Sequence, residues 1–205
     1  MPVRRREQYA GDMEPTSRQG RPKASSRETL SEAACELFLE KGYDATSVSD
    51  ITARAGVSRS SFFNYFAAKS DVIWSGFDER AERLVSELSM TAGAGARADI
   101  REAIASFADG FAPDALALVM SNAAAMSAEE DLEREGSLRT ARIAAAFSSR
   151  LLRAENTELY SAILGASYAA GMLAATRRWA LDGSGRAQLG DRLTEAVDIV
   201  EALGA

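Results

Sequence analysis

Positions 59–65 read Arg-Ser-Ser-Phe-Phe-Asn-Tyr, and five of these side chains, Arg59, Ser60, Ser61, Asn64 and Tyr65, carry groups that can bond base edges or phosphate oxygens. A guanidinium can bond O6 and N7 of guanine together, so Arg59 is the first candidate for a base contact. Hydroxyl and ammonium groups beside helix N-termini suit an anion, because free N–H groups and partial positive charge gather there. Thr46, Ser47 and Lys69, with Tyr65, are the candidates for phosphate. Phe63 can meet a thymine methyl or a sugar.

Other chemistries find little to work with. The 205 residues contain no histidine and one cysteine, which removes Ser-His-Asp and Cys-His catalysis, an intramolecular disulfide and a multi-cysteine zinc site. Neither a Gly-Lys-Ser/Thr phosphate loop nor a strand-associated Gly-x-Gly-x-x-Gly occurs. Glu129, Glu130, Asp131, Glu133 and Glu135 read as a solvated helix start, and Cys35 as a buried thiol. An enzyme, a cofactor and a metal are therefore not expected; a helical protein-binding adaptor is the competing reading. The formal charge is −6, yet residues 1–70 carry 11 Lys and Arg against 9 Asp and Glu, and the remainder 13 against 21. A weakly basic front on an acidic body suits a protein that binds DNA without coating it.

The elements that must position these residues are helical, since alanine, leucine, glutamate and arginine recur and only 4 prolines interrupt. Residues 1–25, with Arg21 and Lys23 among six basic side chains and few large apolar ones, read as a disordered basic arm. A first helix is predicted over 27–41 behind a Ser26 cap, a second over 48–55 ended by Gly56, and a third over 59–65 capped by Ser58. Two short helices joined by Ala55-Gly56-Val57 outline a helix-turn-helix. A fourth, from Lys69 to about Ser89, is the long element expected to link the two halves. The rest reads as helices over 98–110, 113–126 with Pro113 in the first turn, 129–154, 157–181 and 189–203. Domains are thus expected at 26–70 and 71–205. The uncharged stretch Leu159–Thr176 is nearly long enough for a bilayer but is mostly Ala, Gly, Ser, Thr and Tyr, which argues against a span. The lone cysteine and the lack of a secretion-signal pattern fit the cytoplasm.

The series Ala33-Ala34, Leu37-Phe38, Lys41-Gly42-Tyr43, Thr46-Ser47-Val48, Asp50-Ile51, Ala55-Gly56-Val57-Ser58, Phe62-Phe63, Tyr65-Phe66 and Lys69 resembles the TetR family of regulators. The resemblance implies an all-α fold of about nine helices, with a three-helix DNA-binding domain ahead of a ligand-binding and dimerising bundle. It also implies a homodimer on palindromic, double-stranded operator DNA, a repressor that a small-molecule effector releases. At Phe63, relatives commonly carry tyrosine, so a hydroxyl contact to the DNA backbone is lost here. Gly20-Arg21-Pro22-Lys23 matches a short minor-groove element or a sequence-independent basic tail.

Beyond residue 70 the reading rests on physics. Trp74, Phe77, Phe107, Phe111, Met120 and Phe147, with polar Asn122 and Arg142, either fill a core or line a ligand pocket. Resemblance of Phe62 to Arg80 to one subgroup of the family implies an acyl-CoA-like ligand. Ala162, Ala166, Ala170 and Ala174, a second row of Gly165 and Ala169, and the stripe Leu189, Leu193, Val197 and Val200 mark the eighth and ninth helices for dimerisation.

Overall fold

The computed structural model describes residues 26–184 and 186–203, and all their regular elements are helical. In chain order they are α1 (Ser26–Lys41), α2 (Val48–Ala55), α3 (Arg59–Phe63), α4 (Lys69–Met90), α5 (Ala96–Ala108), α6 (Ala115–Ser121), α7 (Glu129–Leu152), α8 (Glu158–Leu181) and α9 (Leu189–Leu203). The basic arm, with Arg21 and Lys23, lies outside the described residues.

Local chemistry sets the first three helices. Ser47 caps α2 by accepting from the Asp50 amide, and Asp50 returns the bond to the Ser47 amide at 2.8 Å. Gly56 ends α2 at φ 67°, a left-handed conformation that glycine adopts without the usual steric cost. Ser58 then caps α3 through the Ser61 amide. Leu30, Ala34, Leu37, Phe38, Ile51, Phe62 and Phe66 close the small core between these helices. That core runs without a break into the body along α4, which buries Val72, Ile73, Trp74, Phe77, Ala81, Leu84 and Leu88.

Three arginines fix the seams of the body. Arg150 of α7 is fully buried, donating to Asp99 Oδ2 at 2.7 Å and to the Gly93 carbonyl at 3.0 Å. Arg153 donates to the Leu88 carbonyl at 2.6 Å. Together they hold the α4–α5 connection against α7. Higher on α7, Arg139 joins Asp78 of α4 at 2.7 Å and lies 4.6 Å over the Trp74 ring.

Several expected boundaries move. Helix α3 stops at Phe63, although Phe66 still donates to the Phe62 carbonyl. Helix α6 is shorter than the 113–126 expected, because Asp114 is its N-cap and Pro113 stands outside it. Residues 122–127 form a tight turn in which Ser127 sits at φ 50°.

The dimerisation stripes are also reassigned. Gly165 and Ala169 are buried, and a Cβ on Gly165 would come within 3.0 Å of the Ala144 carbonyl of α7. Leu189, Leu193, Val197 and Val200 are buried within the same chain, on the side of α9 that packs on α8 and α5. By contrast Ala162, Ala166, Ala170 and Ala174 are exposed, with Leu159 and Ile163 beside them. Helix α8 is long and apolar enough to cross a membrane by length and composition, but nearly half of its apolar window is buried in the fold.

Candidate nucleic-acid interface

The short core under α3 leaves one side of that helix to solvent. Arg59, Ser60, Asn64 and Tyr65 are exposed there, and Ser61 is partly so. Phe63, on the same side, keeps 48 % of its surface exposed, a cost that packing in this chain does not offset. The Arg59 guanidinium lies 5.6 Å over the Phe63 ring and within 3.5 Å of the Ser49 hydroxyl of α2. It is thereby held at the edge between the two helices. Ser60 and Ser61 each exchange a hydroxyl bond with Ser58 at 2.8 Å, so these serines form one local network around the α3 cap.

Arg59 differs from the other cations of this half. Lys41 pairs with Asp50 at 2.8 Å, Arg54 with Glu40 at 2.6 Å and with Glu36, and Arg27 with Glu79. Among the described residues up to 70, Arg59 is the cation that meets neither a carboxylate nor a backbone carbonyl. Its positive charge is free to act on a ligand.

Two expected phosphate contacts are corrected. Thr46 is 2 % exposed and its hydroxyl donates to the Gly42 carbonyl at 2.8 Å, so it braces the α1–α2 turn from inside. The Lys69 ammonium donates to the carbonyls of Tyr43 and Thr46 at 2.6 and 3.0 Å and sits 3.9 Å over the Tyr43 ring. Desolvation there pushes its pKa down. Lys69 positions α2 rather than reaching outward. Ser47 is exposed, though its hydroxyl is engaged with Asp50 at 2.7 Å.

Tyr43 is the residue that reading the sequence for contacts missed. Its amide donates to the Met126 carbonyl at 2.6 Å, its carbonyl receives Lys69, and its ring packs 5.0 Å from Phe38. The turn after α6 therefore touches the α1–α3 half directly, and α4 is not the sole link. The signal in the sequence was the Lys41-Gly42-Tyr43 run, which shows a helix end but not what lies against it.

The expected ligand residues do not line one cavity. Trp74, Phe77, Phe107, Phe111 and Trp179 form a chain of ring contacts with centroids 5.1 to 6.0 Å apart, and Phe147 packs on Tyr168 at 5.8 Å. Phe107 and Phe147 are 2 % and 0 % exposed. These are close-packed core contacts. Arg142 points outward toward Glu82 at 3.7 Å, and Asn122 donates to the Leu118 carbonyl of its own helix. Met120 of the set lines a cleft, of about 280 Å³, between the α6–α7 turn, α7 and α8.

Residues 30–73 match the family described as bacterial regulatory proteins, tetR family. A protein of Mycobacterium tuberculosis named as a regulator of mycofactocin biosynthesis, MftR, is 35 % identical over 68 residues, which is 33 % of this chain and 34 % of that one. The curated relatives are matched over 22 % to 34 % of their own length. Over the whole fold the chain is similar to NalD of Pseudomonas aeruginosa, the secondary repressor of the MexAB-OprM multidrug efflux pump. That likeness has a TM-score of 0.55 at 17 % identity and covers 86 % of this chain and 94 % of that one. The FadR repressor of Thermus thermophilus, solved with lauroyl-CoA, gives 0.50 at 23 % identity, over 85 % and 92 %. At these identities the structural likeness shows the fold alone.

Proposed function

We propose that this chain, whose residues 30–73 match the tetR family of bacterial regulatory proteins, is a member of that family and a homodimeric repressor of transcription that a small-molecule effector releases from a palindromic operator. The observation that carries the proposal is the α3 surface, where a guanidinium without a carboxylate partner and an exposed phenyl ring stand beside Asn64 and Tyr65. Arg59 reads a guanine edge, Phe63 a thymine methyl, and Ser47, Ser60, Ser61 and Tyr65 position the phosphates. The reading unit is 26–70 and the effector-binding body 71–205. Arg21 and Lys23 add phosphate contacts ahead of α1. The protein acts in the cytoplasm and performs no catalysis.

The exposed face of α8, from Leu159 through Ala162, Ile163, Ala166 and Ala170 to Ala174, supplies the dimer contact, because small side chains let a second helix approach closely. Ile199 and Leu203 of α9, 54 % and 84 % exposed, extend it. An acyl-CoA-like effector finds support only in the likeness to FadR, and the ring chain from Trp74 to Trp179 must open to admit an acyl tail.

Selection from a library of random duplexes, repeated at several salt concentrations, tests the proposal. The expected winners are palindromes whose binding weakens steeply with salt. A protein that enriches no sequence is not a regulator of this kind. Ile163→Asp is expected to give a monomer in sedimentation and to lose the palindrome; a persisting dimer moves the interface elsewhere.

A further inference from the structure

We propose that the cleft between the α6–α7 turn, α7 and α8 binds an amphipathic organic cation, and that its occupancy reaches the DNA-binding half through that turn. The inference rests on the reading of the chain as an effector-controlled DNA-binding protein and names the class of effector. The cleft, of about 280 Å³, lies near the lower limit of roughly 300 to 1,000 Å³ usual for small-molecule sites. Met120, 7 % exposed, and the half-buried Leu132 and Leu173 give it an apolar lining. Glu129 and Glu133, one turn apart on α7, and Arg177 of α8 supply its charged groups.

These three charges are uncommitted. Among the described residues neither Glu129 nor Glu133 pairs with a cation, and Arg177 pairs with no carboxylate. Nearby, Arg134 is engaged with Asp131, Arg139 with Glu135, and Arg178 with Asp182, while the exposed Glu130 beside Glu129 adds further negative charge. Two free carboxylates against one guanidinium leave the cleft negative, so a cationic head gains attraction and an anionic head meets repulsion. The apolar lining asks for a hydrocarbon body on the same molecule. An acyl-CoA has the second property and the wrong charge.

The turn over this cleft also contacts the other half. Ala123 lines the cleft three residues before Met126, whose carbonyl accepts the Tyr43 amide at 2.6 Å. Ser127 next to it occupies the left-handed region at φ 50°, a conformation costly for a residue with a Cβ and held by its surroundings. Tyr43 in turn holds Lys69, which also grips the Thr46 carbonyl just ahead of α2. A molecule that displaces Ala123 moves this chain of contacts, and it releases DNA if it favours the DNA-free arrangement.

The test uses the full chain and two matched probes, octyltrimethylammonium and octanoate, with lauroyl-CoA as a third arm, each titrated calorimetrically. Octyltrimethylammonium is expected to bind one molecule per chain, at least tenfold more tightly than octanoate. Glu129→Gln with Glu133→Gln, both at exposed positions and checked for unchanged helix content, is expected to weaken it at least tenfold. Arg177→Gln should leave it unchanged or tighten it. Tighter binding of octanoate or lauroyl-CoA, or an unchanged affinity in the double variant, overturns the proposal. On selected duplex DNA, the bound cation should lower affinity in the native protein and not in the double variant. Cation binding without any DNA binding would remove the regulatory reading and leave the site; DNA binding without cation binding would do the reverse.

Discussion

Two regions of this molecule use their basic side chains in opposite ways. On the α3 surface Arg59 has no carboxylate or carbonyl partner and lies over an exposed ring. Along the inner seams of α4 and α7, Lys69, Arg139, Arg150 and Arg153 are all spent on carbonyls, carboxylates or rings. A cation whose donors are already engaged positions structure. One whose charge meets no carboxylate, and whose single bond is a long one to a hydroxyl, is available to a ligand, and residue type alone does not separate the two.

The strongest way to break that division is at the buried end. Asp99→Ala leaves Arg150, 0 % exposed, without its carboxylate and with a second nitrogen that already lacks a partner. Removing one member of a buried pair typically costs about 3–5 kcal/mol. Denaturant unfolding of the variant should show that loss, and a value under about 1 kcal/mol would mean that Arg150 is not the clamp described.

Lys69→Met tests the same division closer to α3. Two charge-assisted hydrogen bonds to Tyr43 and Thr46 are lost, each of a kind worth about 1.5–3 kcal/mol, offset in part by the desolvation that the ammonium no longer pays. Stability should fall, while the slope of log affinity against log salt on nonspecific DNA stays the same. A slope reduced by about 1 would restore Lys69 to the phosphate contacts.

Arg59→Ala is expected to act in the opposite sense. Folding should change little at this exposed position, and affinity for the selected operator should drop by about 1–3 kcal/mol with nonspecific affinity nearly kept. Equal losses on both DNAs would make Arg59 a phosphate contact.

How far the sequence could be read follows the same line. Helical periodicity, caps and glycines placed α2 and α9 at their observed bounds and α1 within a residue, because those signals are local. Direction was not local. Thr46 and Ser47 are neighbours of similar chemistry, yet one hydroxyl turns inward to Gly42 and the other lies at the surface, a choice made by the packing of α1 against α2. The alanine row of α8 and its Gly165–Ala169 row looked equivalent by spacing. Only the approach of α7 decides which faces solvent. The aromatic residues of α4, α5 and the α5–α6 loop are legible as apolar, but whether they enclose space depends on ring geometry that no spacing encodes.

The smallest expected effect lies where α4 meets α6. Asp114 caps α6 by accepting from the Ala117 amide at 3.2 Å, and it lies so close to α4 that a Cβ on Gly76 would stand 2.6 Å from its carboxylate. Burial raises its pKa above the ordinary 3.8, opposed in part by the backbone hydrogen bonds at the cap, that of Ala117 first, and last by the Arg80 charge. The folded state therefore holds its proton to higher pH than the unfolded chain does. Its contribution is fully favourable below about pH 3.8 and is lost as pH rises through the folded pKa, so at neutral pH the ionised, buried carboxylate weakens the fold. Asparagine keeps the capping oxygen and carries no charge. Asp114→Asn is thus expected to raise the denaturation midpoint at pH 7 by a small amount, and to lose that advantage as the pH is brought down toward 4. A variant less stable than the native protein at pH 7 would show that the ionised cap is worth more to α6 than its desolvation costs.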